Sequence, residues 1–312
     1  MQTKECTERN NFPEMRLDFV FGVPSDDTGL LKMSLYLSQA IVMEVCTHPK
    51  PGMVTRCSNG SHKDMSILTF AASSAVLSMT FRDLQDMGCA FFGTPEELMT
   101  VVRIRGIEAE RDLLHVTKGV NTQRGILFSG GLLSAAAGYT QSRGLGKRAL
   151  LKTVKQMTSG LVQKELAVDK EEPLTAGEQL FKSYGITGIR GEVEKGFPSV
   201  TDKGLPALEE AFSKGAELND ALVHSLISLM TVVEDSNVIW RTDIQTAEEV
   251  KRTAADILSK GSVFTAAGKK ALHDAEKEFV RRRISPGGSA DLLSVVIALY
   301  LLEHGEFPVP IL

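Results

Sequence analysis

Aromatic side chains make up only 6% of this 312-residue chain, with a single tryptophan, so a platform for stacking nucleic-acid bases is not expected. A formal net charge of −4 likewise argues against a protein that coats nucleic acid, whose phosphates demand a basic face. Cys6, Cys46, Cys57 and Cys89 show no C-x-x-C pair and no metal-finger spacing, and read as reduced thiols in a cytoplasmic protein. The longest mostly apolar run, Leu292 to Leu302, is too short to span a bilayer, and the polar stretch Met1 to Asn11 has no apolar core for export. No Walker loop, Rossmann glycine fingerprint, zinc-helix motif or nucleophile elbow occurs, which removes the commonest ways of holding a nucleoside triphosphate. The expectation is a soluble protein with neither a nucleic-acid nor a membrane partner.

What is present is helical period almost everywhere, while alternating β-branched runs are nearly missing. Leu31, Leu35, Val42 and Val45 share one face of a first helix, and Met33, Met43 and Met79 read as core filler. Thr94-Pro-Glu-Glu97 is a capping box with proline at the first helical position, leading into Leu98, Val101, Val102 and Ile104. A second box, Thr175-Ala-Gly-Glu178, opens a short helix ending near Gly185, and Asn219 is placed to cap an apolar helix from Ala221 to Val233. No repeat or low-complexity linker divides the chain. The pattern predicts an all-α fold: one multilayer helical bundle domain over residues 29–312, preceded by a loose extension over 1–28.

Five irregular segments interrupt the helices. His48 to Met65 packs Lys50, Arg56 and Lys63 with His62 and Asp64 onto a loop stiffened by Pro49 and Pro51, so the first helix must stop near His48. Cations on a stiff loop that feeds a helix start suit a polyphosphate, although a plain solvated loop has the same composition. In Lys118-Gly-Val-Asn-Thr-Gln-Arg-Gly125, Asn121 can cap a helix, and Arg124 lies in the first turn, where a cation is unfavourable without a nearby anion. Ile186 to Pro198 places Arg190, Glu192, Glu194 and Lys195 between glycines, where the carboxylates could serve as base or metal ligands. Glu234-Asp-Ser-Asn237 falls at or near an apolar helix end, where a bound cation would relieve the acidic pair. Finally, Ser285-Pro-Gly-Gly-Ser-Ala-Asp291 opens the last apolar helix with free N–H groups at Gly287, Gly288 and Ser289.

Taken in order and spacing, these segments resemble the triphosphoribosyl-dephospho-CoA synthase family. The match runs through Pro49-Lys-Pro-Gly52, Asn59-Gly-Ser-His-Lys-Asp-Met65, Gly119-Val-Asn-Thr122, Gly188-Ile-Arg-Gly-Glu192, Gly196-Phe-Pro-Ser199, Asp235-Ser-Asn237 and Ser285 to Asp291, covering about Leu31 to Leu302. The resemblance implies an all-helical transferase that joins ATP to the 2′-hydroxyl of 3′-dephospho-CoA and releases adenine. The product would be the prosthetic-group precursor for citrate lyase or malonate decarboxylase, attached to its carrier protein by a separate transferase. It also implies a magnesium cofactor, and a homo-oligomer stays open.

Within that reading, Lys50, Arg56, Lys63, Asn121, Arg124, Arg190, Gly287, Gly288 and Ser289 are expected to bind ATP and its phosphates. Asp64 and Asp235 are expected to hold the metal, with Glu192, Glu194 or His62 catalytic. If the Glu192 segment is helical, the two glutamates diverge and just one can be catalytic. Removing Lys50 is expected to weaken ATP binding and leave the fold intact. Three positions depart from the family's usual residues: Thr55, Gln123 and Thr242. Two other functions stay open: a helical enzyme that moves or hydrolyses the ribosyl group differently, and an inactive helical module kept for protein contacts.

Overall fold

The computed structural model describes residues 32–167 and 174–311, so the extension expected over 1–28 lies outside the described residues. Every regular element among them is helical. In chain order these are α1 (Met33–Cys46), α2 (Ile67–Ala90), α3 (Pro95–Val116), α4 (Arg124–Ser142), α5 (Leu150–Met157), α6 (Leu161–Glu165) and α7 (Ala176–Tyr184). They continue with α8 (Gly188–Glu194), α9 (Leu205–Ser213), α10 (Leu218–Met230), α11 (Ser236–Arg241), α12 (Ile244–Ser259), α13 (Ala266–Arg282) and α14 (Gly287–His304).

Local chemistry sets several of these boundaries. At α3, Glu97 N donates to Thr94 Oγ1 (3.3 Å) and Thr94 N donates to Glu97 Oε2 (2.8 Å), so two amides orphaned by the helix start are satisfied. The same reciprocal pair joins Thr175 and Glu178 at α7, which stops at Gly185 in the left-handed region (φ +70°). Two expected caps differ. Asn219 lies inside the first turn of α10, with its amide holding the His48 backbone. Gln123, not Asn121, precedes α4.

The core is layered around α14, which packs against α1, α4 and α10 and is buried from Leu292 to Leu302. As an 18-residue helix, α14 is long and apolar enough to cross a membrane, but 72% of it is covered by its neighbours, the pattern of a core helix. On α1 the buried face is Met33, Tyr36, Leu37, Ala40, Ile41, Glu44 and Val45, while Leu35 and Val42 point to solvent. Of the expected apolar stripe on that helix, Val45 is buried, Leu35 and Val42 are exposed and Leu31 lies outside the described residues, and Met79 and Ile104 are exposed rather than core.

α2 and α4 form the most intimate pair because glycine lets their backbones touch. A Cβ on Gly138 would lie 2.0 Å from Gln85 O, and one on Gly88 would lie 2.1 Å from Ala135 O. Neither obstacle is the end of a flexible side chain, so the helices themselves would have to separate. Gly138→Ala should destabilise the fold by about 1–3 kcal/mol, measured by urea denaturation; an unchanged midpoint would show that the helices do not cross at this distance.

Candidate active site

The cationic loop after α1 is folded inward. A Cβ on Gly52 (φ +74°) would meet Ile284 O at 1.9 Å, so the loop can press on the segment leading into α14 only with glycine there. Ser61 Oγ donates to Ile284 O (2.7 Å), and His62 Nε2 lies 2.8 Å from Ser285 Oγ. Two segments more than 200 residues apart are thereby stitched together. At the loop's centre Lys50 is 1% exposed, with its ammonium on the Glu44 carboxylate and donating to Glu44 O (2.7 Å). Burial pushes the Glu44 carboxyl up, and Lys50 pulls it back down.

Beyond this pair lies Asp291, one turn into α14. Its Oδ2 rests where a Cβ on Gly125 would come within 2.0 Å, so a side chain there would displace the carboxylate. Burial, then the charges of Glu44 and Asp235, raise the Asp291 carboxyl well above the ordinary aspartate range. Asp235 itself caps α11. Its Oδ1 accepts from Asn237 N (3.1 Å) and Val238 N (3.3 Å), and its Oδ2 accepts from Ser289 N (3.0 Å). One buried carboxylate thus serves the amides at two helix starts, with burial raising its pKa and these bonds opposing the rise.

A cavity of about 940 Å³ opens between this cluster, α3, the start of α4, α8 and α11. Of the residues expected from sequence, Lys50, His62, Asn121, Arg124, Arg190, Glu192, Gly287 and Gly288 line it. Because α8 is a helix, Glu192 and Glu194 diverge. Glu192 faces the cavity and accepts from Ser199 N (2.7 Å) and Ser199 Oγ (2.9 Å), its carboxyl raised by burial against those bonds. Glu194 accepts from Val162 N (3.0 Å), away from the cavity wall.

Several expected roles meet a different geometry. Arg56 lies off the cavity and donates to Cys46 O (2.6 Å) and Asn219 Oδ1 (2.7 Å), closing the end of α1. Lys63 and Asp64 are exposed and outside the wall, with Asp64 Oδ1 3.6 Å from His62 Nδ1. The Ser289 amide is already engaged by Asp235, so it is not a free anion site, and both Asp235 oxygens are taken by N–H donors. Asp235 opens α11 rather than ending α10, so no helix pole opposes it. Lys50 is an interior ion-pair partner rather than an open phosphate arm. His62 Nδ1 lies 3.3 Å from Arg241 Nη1 and 3.6 Å from Asp64 Oδ1, while Nε2 faces Ser285 Oγ. Burial and then Arg241 lower its pKa against the opposing pull of Asp64, which holds the imidazole toward its neutral form.

The cavity also brings in Arg103 and Glu110 from α3, Glu165 from α6 and Glu44 from α1, which no irregular motif surrounds, together with Trp240, Arg241 and Asp291. Glu165 bridges two arginines, through Oε2 to Arg190 Nε (2.7 Å) and through Oε1 to Arg103. Arg124 pairs with Glu110 (2.7 Å). Asp291 lay inside a quoted motif, and its place one turn into an apolar helix was the available signal.

The departures from the family pattern also have local roles. Thr55 Oγ1 accepts from Cys57 N and Ser58 N (both 3.1 Å), organising the loop. Gln123 is buried, with its amide oxygen accepting from Ser73 Oγ, and Thr242 Oγ1 donates to Val238 O (2.7 Å) at the end of α11.

The sequence profile of ATP:dephospho-CoA triphosphoribosyl transferase matches residues 32–307. A probable 2-(5″-triphosphoribosyl)-3′-dephosphocoenzyme-A synthase of Malonomonas rubra is 41% identical, the alignment covering 87% of each chain. The synthase of that name from Pectobacterium atrosepticum is 38% identical over 87% of this chain and 89% of its own. The one from Klebsiella pneumoniae is 36% identical over 87% and 91%. No solved structure matches the chain.

Two outcomes follow from the buried charges. Lys50→Ala leaves Glu44 buried without its partner and should lower stability by about 3–5 kcal/mol, read as a fall in the denaturation midpoint; unchanged stability would mean the pair is open to water. Between the ordinary aspartate pKa and the raised one of folded Asp291, the unfolded chain has lost a proton that the folded chain keeps. Stability therefore falls as pH rises through that window. Asp291→Asn should flatten this slope and raise the ligand-free melting temperature near neutral pH; a slope as steep as in the parent would place the titration elsewhere.

Proposed function

The chain belongs to the ATP:dephospho-CoA triphosphoribosyl transferase family, and from that premise we propose that the cavity between α3, α8, α11 and the start of α14 joins the two substrates. The family's reaction moves the triphosphoribosyl group of ATP to the 2′-hydroxyl of 3′-dephospho-CoA, with release of adenine. One observation carries the assignment. Arg103, Arg124, Arg190 and Arg241 share a single cavity with the half-buried carboxyl groups Glu192 and Asp291, and its 940 Å³ lies near the upper end for small-molecule sites. Two anionic nucleotides and an oxocarbenium-like centre call for both signs of charge in one place.

The arginines hold the triphosphate as a handle, each charge-assisted bond contributing about 1.5–3 kcal/mol. The C1′–N9 bond breaks as the 2′-oxygen of dephospho-CoA attacks C1′. The electron pair leaves with adenine, and the hydroxyl proton passes to Glu192. Burial raises the Glu192 carboxyl toward the range in which it can accept a proton and return it. A single inverting displacement needs no covalent nucleophile, in keeping with the α-linked product the family resemblance implies. His62 stands beside Arg241 and Ser285 at the cavity wall.

Magnesium is part of this reading. The expected pair does not fit, since Asp64 stands on the exposed rim and Asp235 is filled by N–H donors. Asp291 offers a hard oxygen donor at the cavity wall, its pKa raised, and would hold the ion together with phosphate oxygens, whereas Glu44 is already matched by Lys50. When bound, it neutralises the triphosphate charge. A cytoplasmic setting suits the free Cys46, Cys57 and Cys89, and the product suits attachment to a carrier protein by a separate transferase.

The test is mass spectrometry of the products formed from ATP, magnesium and dephospho-CoA. Adenine and the triphosphoribosylated acceptor are expected; steady phosphate or pyrophosphate release without adenine would overturn the assignment. Glu192→Gln should lower kcat by about 10²–10⁴-fold with little change in ATP affinity, and should remove the acid limb of the pH–rate profile. Retention of that limb would assign the base elsewhere. Asp291→Asn should raise the magnesium concentration needed for half-maximal ATP binding, followed by calorimetry without turnover.

A further inference from the structure

Trp240 is the chain's single tryptophan, and it is 53% exposed while lining the cavity. An indole is the largest apolar side chain, so leaving half of it in water forgoes burial that a flat ligand could supply. Its position is not that of a loose surface residue. It sits on the six-residue α11, whose start is locked by Asp235 to the start of α14. The neighbouring Val238 and Ile239 are buried in the core, and Thr242 Oγ1 ties the far end back to Val238 O (2.7 Å). A short, pinned helix therefore presents the ring from a fixed base.

The next residue, Arg241, contributes a cation to the same wall, where His62 lies 3.3 Å from its guanidinium. A flat apolar face beside a cation fits a heterocyclic base carried on a phosphorylated ribose. Both substrates of the family reaction are adenine nucleotides, and their purine rings are the planar apolar parts they share. We propose that the indole of Trp240 is the stacking platform for the purine ring of one of these nucleotides at the cavity wall. This inference rests on the proposed reaction for the ligand's identity, but not for the existence of the platform.

The protein reports on itself, because all indole emission comes from Trp240. With excitation at the red edge of indole absorption, where adenine does not absorb, ATP and dephospho-CoA are titrated separately, with inorganic triphosphate as the base-free control. The nucleotide that stacks should quench the emission, and triphosphate should not. Stacking on an aromatic side chain contributes about 1–3 kcal/mol per base, so Trp240→Ala should raise the KM of that nucleotide by about 5- to 150-fold. Trp240→Phe should restore most of the loss, and the KM of the other substrate should stay near the parent value.

A rise for ATP alone assigns the platform to the purine that departs, and a rise for dephospho-CoA alone assigns it to the acceptor. Emission unmoved by either nucleotide overturns the proposal, as do parental KM values for both substrates in a Trp240→Ala protein with parental circular dichroism. The two readings fail separately: quenching without adenine release would sink the reaction and leave the platform, and adenine release without quenching would do the reverse.

Discussion

The carboxylate of Asp235 is the interaction on which the geometry of the cavity depends. It accepts hydrogen bonds from amides at the start of α11 and at the start of α14, two helices that meet through this residue. In the bundle interior its ionised form is disfavoured by burial and recovered by those amides. Moving it would shift Trp240 and Arg241 on one helix and Asp291 on the other. A group whose sequence context suggested metal binding is instead the joint between two walls of the cavity.

Around that joint the charges are arranged by partnership rather than by sign. Glu44 neutralises Lys50, Glu110 meets Arg124, and Glu165 lies between Arg103 and Arg190. Lys50 and Glu44 are buried, and either ion without the other would be prohibitive there, so Lys50 does not stand as an open phosphate arm. Glu192 and Asp291 differ from the paired acids. Glu192 is steadied by Ser199 bonds, whereas Asp291 carries the repulsion of two other carboxylates. Groups whose pKa values are displaced from their ordinary range, gathered in one concavity, are where chemistry is expected.

The helical class and the two capping boxes were legible because periodicity and caps depend on residues within one turn of each other, as at Thr94 with Glu97 and Thr175 with Glu178. The irregular motifs also pointed to the right region: residues from each of the five segments line the cavity. Which atoms face inward was not legible. Lys50 finds Glu44 across the end of α1, and nothing in either local pattern announces the pair. Whether Glu192 or Glu194 faces the cavity turned on α8 being helical. Arg103, Glu110 and Glu165 sit on ordinary amphipathic helices, so only tertiary packing brings them to the site. Leu35 and Val42 were misread for the same reason, since α1 uses its other flank against α2 and α14.

Glu165 gives the cavity a built-in competitor. In the ligand-free protein its two oxygens stand where an anion's oxygens would otherwise quiet the repulsion between Arg103 and Arg190. A small anion that displaces it exchanges one negative partner for another and gains little. Any anion that meets Arg103 and Arg190 together must therefore take the place of a carboxylate already seated on both.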